Sequence, residues 1–109
     1  MFATIDDVRL HYEIEGRGPA LVVISFGGSP IYQRTLSARL REHFQLSFLD
    51  LRGSGPSDTG DIEALTLDRV LADIDGVRAA IGVERIAVVG HSVHGLFSPA
   101  YALQYPAHA

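Results

Sequence analysis

The sequence predicts an α/β fold in which an antiparallel hairpin leads into a mostly parallel sheet with crossover helices. Short apolar runs of strand length alternate with longer stretches of helical periodicity, and turns rich in glycine, proline or aspartate separate them. A length of 109 residues, of which 47% are hydrophobic and 20% charged, suits one domain with a modest core. We therefore interpret residues 1–109 as a single domain or as one part of a domain.

The first strands are predicted from the alternation of apolar and polar residues. This pattern runs through residues 2–14 and is interrupted at Asp6 and Asp7, which indicates a hairpin. Glycine and proline end the hairpin, and the continuous apolar run at residues 20–26 is typical of a strand covered on both faces. We expect the interior of the sheet to begin with that strand.

The first crossover is predicted as a helix over residues 31–44. Apolar side chains recur at every fourth position along it, which indicates a stripe that is buried against the sheet. The stripe consists of Tyr32, Leu36 and Leu40. The charged residues that we expect to point mostly toward water are Arg34, Arg39, Arg41 and Glu42.

A second strand and helix follow. Residues 46–51 predict a strand, which the turn-rich residues 52–58 close. Thr66 is predicted to cap the start of a helix over residues 67–81, and Gly82 is placed to end it. The apolar stripe of this helix predicts that it packs on the core.

The last strand and helix surround a serine. Residues 85–89 predict a buried strand, and residues 93–105 predict a helix that Pro106 ends. Pro99 falls inside this helix, where it removes one backbone hydrogen bond and is expected to introduce a kink at a cost of ~3 kcal/mol.

Ser92 lies in the turn between that strand and that helix, directly after Gly90 and His91. A serine hydroxyl is a weak nucleophile, and it needs exposure, a neighbouring base and hydrogen-bond donors for the oxyanion that forms. A tight strand-to-helix turn exposes the side chain and directs the free amides of the first helical turn to the same point. The pattern is that of a nucleophile elbow, and it predicts Ser92 as a nucleophile.

Four motifs occur in an order and spacing that resemble the α/β-hydrolase fold family. They are the opening hairpin, Gly16-x-Gly18-Pro19, Asp50-x-Arg52-Gly53-x-Gly55-x-Ser57-Asp58 and Gly90-His91-Ser92. Over its whole length the chain resembles the N-terminal portion of a serine hydrolase of the broad esterase and aminopeptidase-like group. The resemblance implies strands 1–5 and the nucleophile elbow of that fold, without its later strands.

The resemblance also implies roles for particular residues. Ser92 is implied to be the catalytic nucleophile, and the amide of Val93 to be one oxyanion donor. Gly28 is the candidate for the second donor, with Gly27 and Ser29 as alternatives. The stretch from residue 50 to residue 58 is implied to be a mainly structural loop near the mouth of the site.

Two departures from the family pattern lie close to these residues. The family motif G-x-S-x-G has a glycine where this chain has His94, and the glycine is delayed to Gly95. We expect His94 either to point into a gap or to shift the elbow slightly. Residues 25–28 also replace the usual His-Gly start of the oxyanion loop, which makes the alignment of the second donor less direct.

The acid and histidine of the family's triad follow the serine on loops after later strands. The chain reaches Ala109 before any further strand, so we expect it to be a fragment or a truncated reading frame. The strand at residues 85–89 would then be an exposed apolar edge, and self-association is the expected consequence.

Composition argues against several classes of partner. The formal charge is −4 and no cluster of lysine and arginine is present, which disfavours nucleic acid. The chain has no cysteine, so disulfides are not expected. It has no leader with a basic start and an apolar core, and no apolar run of membrane-spanning length, so no membrane partner is expected and a cytoplasmic location is predicted.

Neither a cofactor nor a metal is expected. The glycines at 53 and 55 lack the third glycine of a dinucleotide-binding turn, and Pro56 removes an amide that would face phosphate. His91 and His94 have no third ligand nearby in sequence, and His94 lies in a direction from Ser92 that does not suit a catalytic base.

Two functions remain open at this point. The first is a hydrolase that cleaves an ester, amide or related acyl bond of a small molecule through an acyl-enzyme on Ser92, inactive as an isolated fragment. The second is a truncated, non-catalytic protein that keeps the fold as a binding or vestigial module.

Overall fold

The computed structural model describes residues 1–25 and 29–109. These residues contain a five-stranded sheet in the order β1-β2-β4-β3-β5. The strands are β1 Phe2–Ile5, β2 Val8–Gly16, β3 Ala20–Ile24, β4 Gln45–Leu49 and β5 Ala87–Gly90. The two antiparallel pairs, β1 with β2 and β2 with β4, precede the two parallel pairs, β3 with β4 and β3 with β5. The predicted fold class is confirmed.

The opening hairpin turns at the two residues that the sequence indicated. Asp6 and Asp7 have φ angles of 48° and 65°, and Ile5 pairs with Val8 across the turn. Positive φ at both central residues matches the twist of the flanking strands, and aspartate tolerates this conformation better than most residues. The hairpin therefore forms where the alternation was interrupted.

The helices are α1 Ser29–Thr35, α2 Leu40–His43, α3 Leu67–Ile81 and α4 Phe97–Gln104, and short 3₁₀ turns lie at Ile62–Ala64 and Ser92–Leu96. Helices α1 and α2 pack on one face of the sheet, around Val23, Leu46 and Phe48. Helices α3 and α4 pack on the opposite face, around a larger core that includes Ile74 and Tyr101. No helix in the described ranges has the length and apolar content needed to cross a bilayer.

The prediction of one helix over residues 31–44 is wrong, because the structure divides it into α1 and α2. The guanidinium of Arg41 donates hydrogen bonds to the carbonyl oxygens of Gln33, Leu36 and Ser37, at 2.7, 3.3 and 3.4 Å. These carbonyls belong to the last turn of α1 and the residues after it, so Arg41 satisfies groups that a continuous helix would have bonded internally. Arg41 is therefore partly buried, in contrast to the expectation that it points toward water.

The predicted stripe on this segment still packs against the sheet. Tyr32, Leu36 and Leu40 are partly buried against the core on that face. The periodicity thus identified the buried side correctly and missed the break in the backbone.

Helix α3 has the ends that the sequence predicts. The side chain of Thr66 accepts a hydrogen bond from the amide of Arg69 at 3.1 Å, and Gly82 follows the helix in the left-handed conformation. The stripe from Val70 to Val77 is buried under the sheet. Both caps therefore hold α3 in the register that buries its apolar face.

The predicted helix over residues 93–105 begins differently. Residues Ser92–Leu96 form a 3₁₀ turn, and the α-helix starts only at Phe97. Pro99 is then the third residue of α4, in the first turn, where amides have no partner within the helix in any case. The predicted loss of a hydrogen bond inside the helix at Pro99 is therefore wrong, because Pro99 lies in the first turn of α4.

Candidate active site

Ser92 lies where β5 meets the 3₁₀ turn, and its backbone is strained. Its φ is 58°, which a residue with a Cβ adopts only rarely. His91 before it is extended, with φ −104° and ψ 137°, so the chain reverses sharply at one residue. The serine is exposed and lies two residues after the end of β5. This is the geometry that a strand-to-helix elbow requires.

Gly90 permits the close approach of strand and turn. A Cβ on Gly90 would lie 2.1 Å from the carbonyl oxygen of His94 and 2.8 Å from the amide nitrogen of Gly95, distances that real contacts do not show. A Cβ on Gly95 would meet only the Gly90 carbonyl oxygen, at an ordinary 3.6 Å. The glycine before the serine, and not the one after it, is therefore the residue that the tight turn requires.

The side chain of His94 points into a gap, one of the two outcomes expected for this departure from the family motif. It lines a cavity of about 430 Å³ together with residues of the loop after β4, the start of α3 and the elbow. Its ring lies 5.6 Å from that of Phe97. Burial, followed by the nearby charge of His91, lowers the pKa of His94, which favours the neutral imidazole at neutral pH.

Of the residues predicted to donate to the oxyanion, the structure describes Val93 and Ser29 but not Gly28. Val93 follows Ser92 in the first turn of the 3₁₀ segment, where backbone amides lack an intrahelical acceptor. Gly28, like the alternative Gly27, lies outside the described residues. The amide of Ser29, the other alternative, donates to the carboxylate of Asp50 at 2.8 Å and is buried. Ser29 is therefore a poor donor for an oxyanion.

The loop after β4 is bound on both sides by polar contacts. Arg52 forms a paired hydrogen bond with Asp73 of α3, with Nε to Oδ2 at 2.5 Å and Nη2 to Oδ1 at 2.9 Å, and both side chains are buried. The hydrogen bonds that Arg52 donates to Asp73 raise the pKa of Arg52 further above its ordinary value. On the other side, the hydroxyl of Ser57 donates to the Asp50 carbonyl and accepts from the amide of His11. These contacts hold the loop between the hairpin and α3.

A second cavity, of about 570 Å³, lies between α1 and β5. It is lined mainly by apolar side chains, including Val23, Ile31 and Val89, and it reaches His91 next to the serine. Tyr32 and His91 meet at its edge, with the hydroxyl 3.4 Å from Nδ1.

Sequence reasoning missed the polar network around Asp50. His11 Nδ1 lies 2.8 Å from Asp50 Oδ2, and His11 Nε2 lies 2.8 Å from Glu13 Oε1. The hydrogen bond with His11 is the largest influence on Glu13 and lowers its pKa. His11 and Asp50 are 39 residues apart, and only the pairing of β2 with β4 brings them together. The alternation in β2 could have placed His11 on the opposite face from Leu10 and Tyr12, but it could not name a partner.

The chain is similar to known proteins over almost its whole length. AB hydrolase superfamily protein YclE of Bacillus subtilis is 36% identical over 102 residues, which are 93% of this chain and 36% of that protein. RutD of Escherichia coli, named for a proposed carbamate hydrolase activity, is 36% identical over 90 residues, which are 82% of this chain and 34% of that protein. The chain thus spans about a third of the length of these relatives.

Solved structures agree on the fold. A variant of the meta-cleavage product hydrolase CumD superposes with a TM-score of 0.87 at 22% identity, covering 99% of this chain and 41% of that one. An epoxide hydrolase variant from Bacillus megaterium superposes with a TM-score of 0.86 at 24% identity, covering 100% of this chain and 39% of that one. A family model described as alpha/beta hydrolase fold matches residues 19–109. With its five-stranded mixed sheet and strained serine elbow, this chain belongs to the α/β-hydrolase fold family of hydrolases.

Proposed function

We propose that this chain supplies the nucleophile of a serine hydrolase and the backbone amides that stabilise its oxyanion. The observation that carries the proposal is the backbone of Ser92, an exposed serine with φ 58° at the junction of β5 and a 3₁₀ turn. Such strain is retained only where the surrounding structure enforces it. Here Gly90, which has no Cβ, allows the turn to pack closely on the end of β5 and so hold Ser92 in this conformation.

The proposed reaction is acyl transfer to Ser92. The base takes the hydroxyl proton of Ser92 as Oγ attacks the carbonyl carbon of the substrate, a bond forms between Oγ and that carbon, and the π electrons move onto the carbonyl oxygen. The amide of Val93, with that of Gly28, is proposed to stabilise the resulting oxyanion. Collapse of this intermediate breaks the bond to the alcohol or amine, which leaves with a proton from the base, and water then hydrolyses the acyl-enzyme.

The base and the acid of the triad are proposed to come from residues outside this chain. In this fold they follow the serine in chain order, and the chain spans about a third of the length of the relatives it matches. We therefore expect the isolated 109-residue polypeptide to be inactive. The neutral His94 is not proposed as a substitute, because its side chain faces the cavity beside α3.

The proposed substrate is a small molecule with an ester, amide or related acyl bond, and no cofactor is proposed. RutD, at 36% identity, is named for carbamate hydrolysis, which also breaks a bond at a carbonyl carbon. Epoxide opening is disfavoured, because that chemistry in this family uses an aspartate at the position of Ser92.

A fluorophosphonate probe tests the proposal on the native protein. We expect stoichiometric labelling at Ser92, lost in Ser92→Ala and retained in Ser98→Ala, a matched serine removal in α4. The intact mass of the native product is measured on the same sample and is expected to exceed that of this chain. A native product that does not react with the probe would support the non-catalytic alternative.

A further inference from the structure

We propose that the cavity beside α3 and the Ser92 turn receives the acyl part of the substrate and selects for an apolar acyl group. This elbow cavity is the one of about 430 Å³ that His94 lines. The inference rests on the proposed function and concerns the substrate class of the same site. It gives a role in specificity to residues that take no part in the reaction itself.

The lining of the elbow cavity is mainly apolar. Its buried part includes Leu51 after β4 and Val70 of α3. Its exposed rim includes Leu65, Leu67 and Leu96, which are 48%, 45% and 58% exposed. Single apolar residues are common on protein surfaces, but several of them around one concave apolar site indicate that the site binds a ligand.

The charge of the lining favours an uncharged ligand. Among the described lining residues Arg52 carries the only formal charge, and the carboxylate of Asp73 neutralises it at 2.5 Å, with both side chains buried. Burial lowers the pKa of His94, which favours its neutral form at neutral pH. A charged acyl group would lose its hydration in this cavity without gaining an opposite charge, whereas an apolar group gains from burial.

The wall of the elbow cavity is part of the turn that carries the nucleophile. His94 and Leu96 both line the cavity, and both belong to the 3₁₀ turn that begins at Ser92. A 3₁₀ turn rises ~2 Å per residue, so these two residues lie ~4 and ~8 Å from the serine along its axis. Val93, directly after the serine, is 67% exposed and continues the apolar surface. An acyl chain of several carbons bonded to Oγ is therefore long enough to reach the cavity.

The volume of the elbow cavity sets the size of the group that it can hold. A cavity of ~150 Å³ holds a benzene molecule, so one of about 430 Å³ has room for a chain of about six carbons. Each methylene that is buried is expected to raise kcat/KM about fourfold. The acyl group stays bonded to Ser92 until water releases it, unlike the leaving group. A subsite on this turn therefore acts on the acyl group in both half-reactions.

The test compares two esters and three variants of the native protein. The esters, p-nitrophenyl acetate and p-nitrophenyl hexanoate, share a leaving group and differ only in the acyl chain. Leu67→Glu places a charge at the rim, and an acidic residue is favourable there because position 67 is the first of α3. Leu65→Trp narrows the opening while it adds apolar surface. Leu103→Glu is the control, because Leu103 is 85% exposed on α4 and is not among the residues that line the cavity.

The thermal midpoint, the rate of fluorophosphonate labelling, and kcat/KM for both esters are measured for each protein. We expect the wild type to favour the hexanoate over the acetate by at least ~10-fold. Leu67→Glu and Leu65→Trp should each lower this ratio by ~5-fold or more, while kcat/KM for the acetate changes by less than about twofold, because an acetyl group is too short to enter the cavity. Leu103→Glu should leave the ratio unchanged.

The two rim variants make the outcome independent of either substitution alone, since Leu65→Trp covers the case in which Leu67→Glu does not fold. A wild type with no preference for the hexanoate would overturn the inference, as would an unchanged ratio in either folded rim variant. A ratio that rises in Leu65→Trp, or that falls equally in Leu103→Glu, would also overturn it, because the chain would then rest on apolar surface outside the cavity. A wild-type protein that the fluorophosphonate does not label would instead contradict the proposed function, so the two failures are distinguishable.

Discussion

The hydroxyl of Tyr101 in α4 donates a hydrogen bond of 2.9 Å to Oδ1 of Asp75 in α3. Tyr101 is almost completely buried, and the same carboxylate oxygen accepts from Arg78 Nε at 2.8 Å and lies 2.7 Å from His108 Nδ1. The carbonyl of His108 also accepts from the amide of Ile86, just before β5. Asp75 is therefore the point at which α3, α4 and the segment after α4 meet.

Removal of the Tyr101 hydroxyl is expected to destabilise the protein without changing its fold. Tyr101→Phe should lower the free energy of unfolding by about 1–2 kcal/mol, because a hydrogen bond to a charged carboxylate is lost while the ring stays packed. Urea unfolding followed by circular dichroism measures the change. Tyr105→Phe, which alters a ring stacked 5.2 Å from that of Tyr101, is the control and should have a smaller effect. Equal losses in the two variants would contradict a specific role for the Asp75 contact.

Asp75 is also expected to make stability depend on acid pH. Burial alone would raise the pKa of Asp75, but the hydrogen bonds from Arg78, Tyr101 and His108 outweigh it and lower the pKa below the ordinary value of 3.8. A group whose pKa is lower in the folded state stabilises that state above its unfolded pKa and loses this contribution as pH falls through its folded pKa. The free energy of unfolding should therefore decline below about pH 4, and less steeply in Asp75→Asn. Parallel pH profiles for the two proteins would refute this assignment.

The ion pair between Arg52 and Asp73 should be strongly coupled. Asp73→Leu leaves a buried guanidinium without its main partner, and a loss of about 3–5 kcal/mol is expected. Arg52→Met combined with Asp73→Leu replaces both charges by apolar groups and should be less destabilising than the sum of the single substitutions. Chemical denaturation of the wild type, the two single variants and the double variant gives the four free energies of unfolding of a double-mutant cycle. Additive losses would show that the two residues act independently.

The elbow should tolerate alanine after the serine but not before it. In Gly90→Ala the new Cβ would lie 2.1 Å from the His94 carbonyl oxygen, so the turn must open, and a loss of at least about 3 kcal/mol is expected. Gly95→Ala is the matched control, with its Cβ at an ordinary 3.6 Å, and should stay within about 1 kcal/mol of the wild type. Thermal unfolding of both variants, with fluorophosphonate labelling of the folded protein, makes the comparison. A larger loss of stability in Gly95→Ala than in Gly90→Ala would contradict the assigned role of Gly90.

The sequence was sufficient to predict features whose conformation depends on residues close together along the chain. The turn at Asp6 and Asp7 and the caps at Thr66 and Gly82 follow from local conformational preference, and they lie where they were predicted. The four motifs identified the family because they record the order of strands and turns along the chain.

The sequence was not sufficient to predict features that depend on contacts with side chains far away along the chain. The break between α1 and α2 depends on Arg41, which is partly buried between Glu15, Phe48 and the carbonyls in the last turn of α1 and just after it. Helical periodicity describes the buried face and is not sensitive to such a contact. The pairing of Asp50 with His11 and Ser29 likewise depends on sheet register, which no local pattern in the sequence determines.

The apolar edge at β5 is expected to cause self-association of the 109-residue polypeptide. In the described ranges β5 lies at one edge of the sheet, and Val89 is 41% exposed next to the cavity between α1 and β5. An exposed apolar edge offers unpaired backbone groups to a second copy, and a charge on such a strand opposes pairing. Val89→Lys should therefore lower the association measured by sedimentation velocity across a concentration series. Leu103→Lys changes an even more exposed apolar residue, on α4, and should leave association unchanged. A wild-type polypeptide that stays monomeric at every concentration would contradict the prediction.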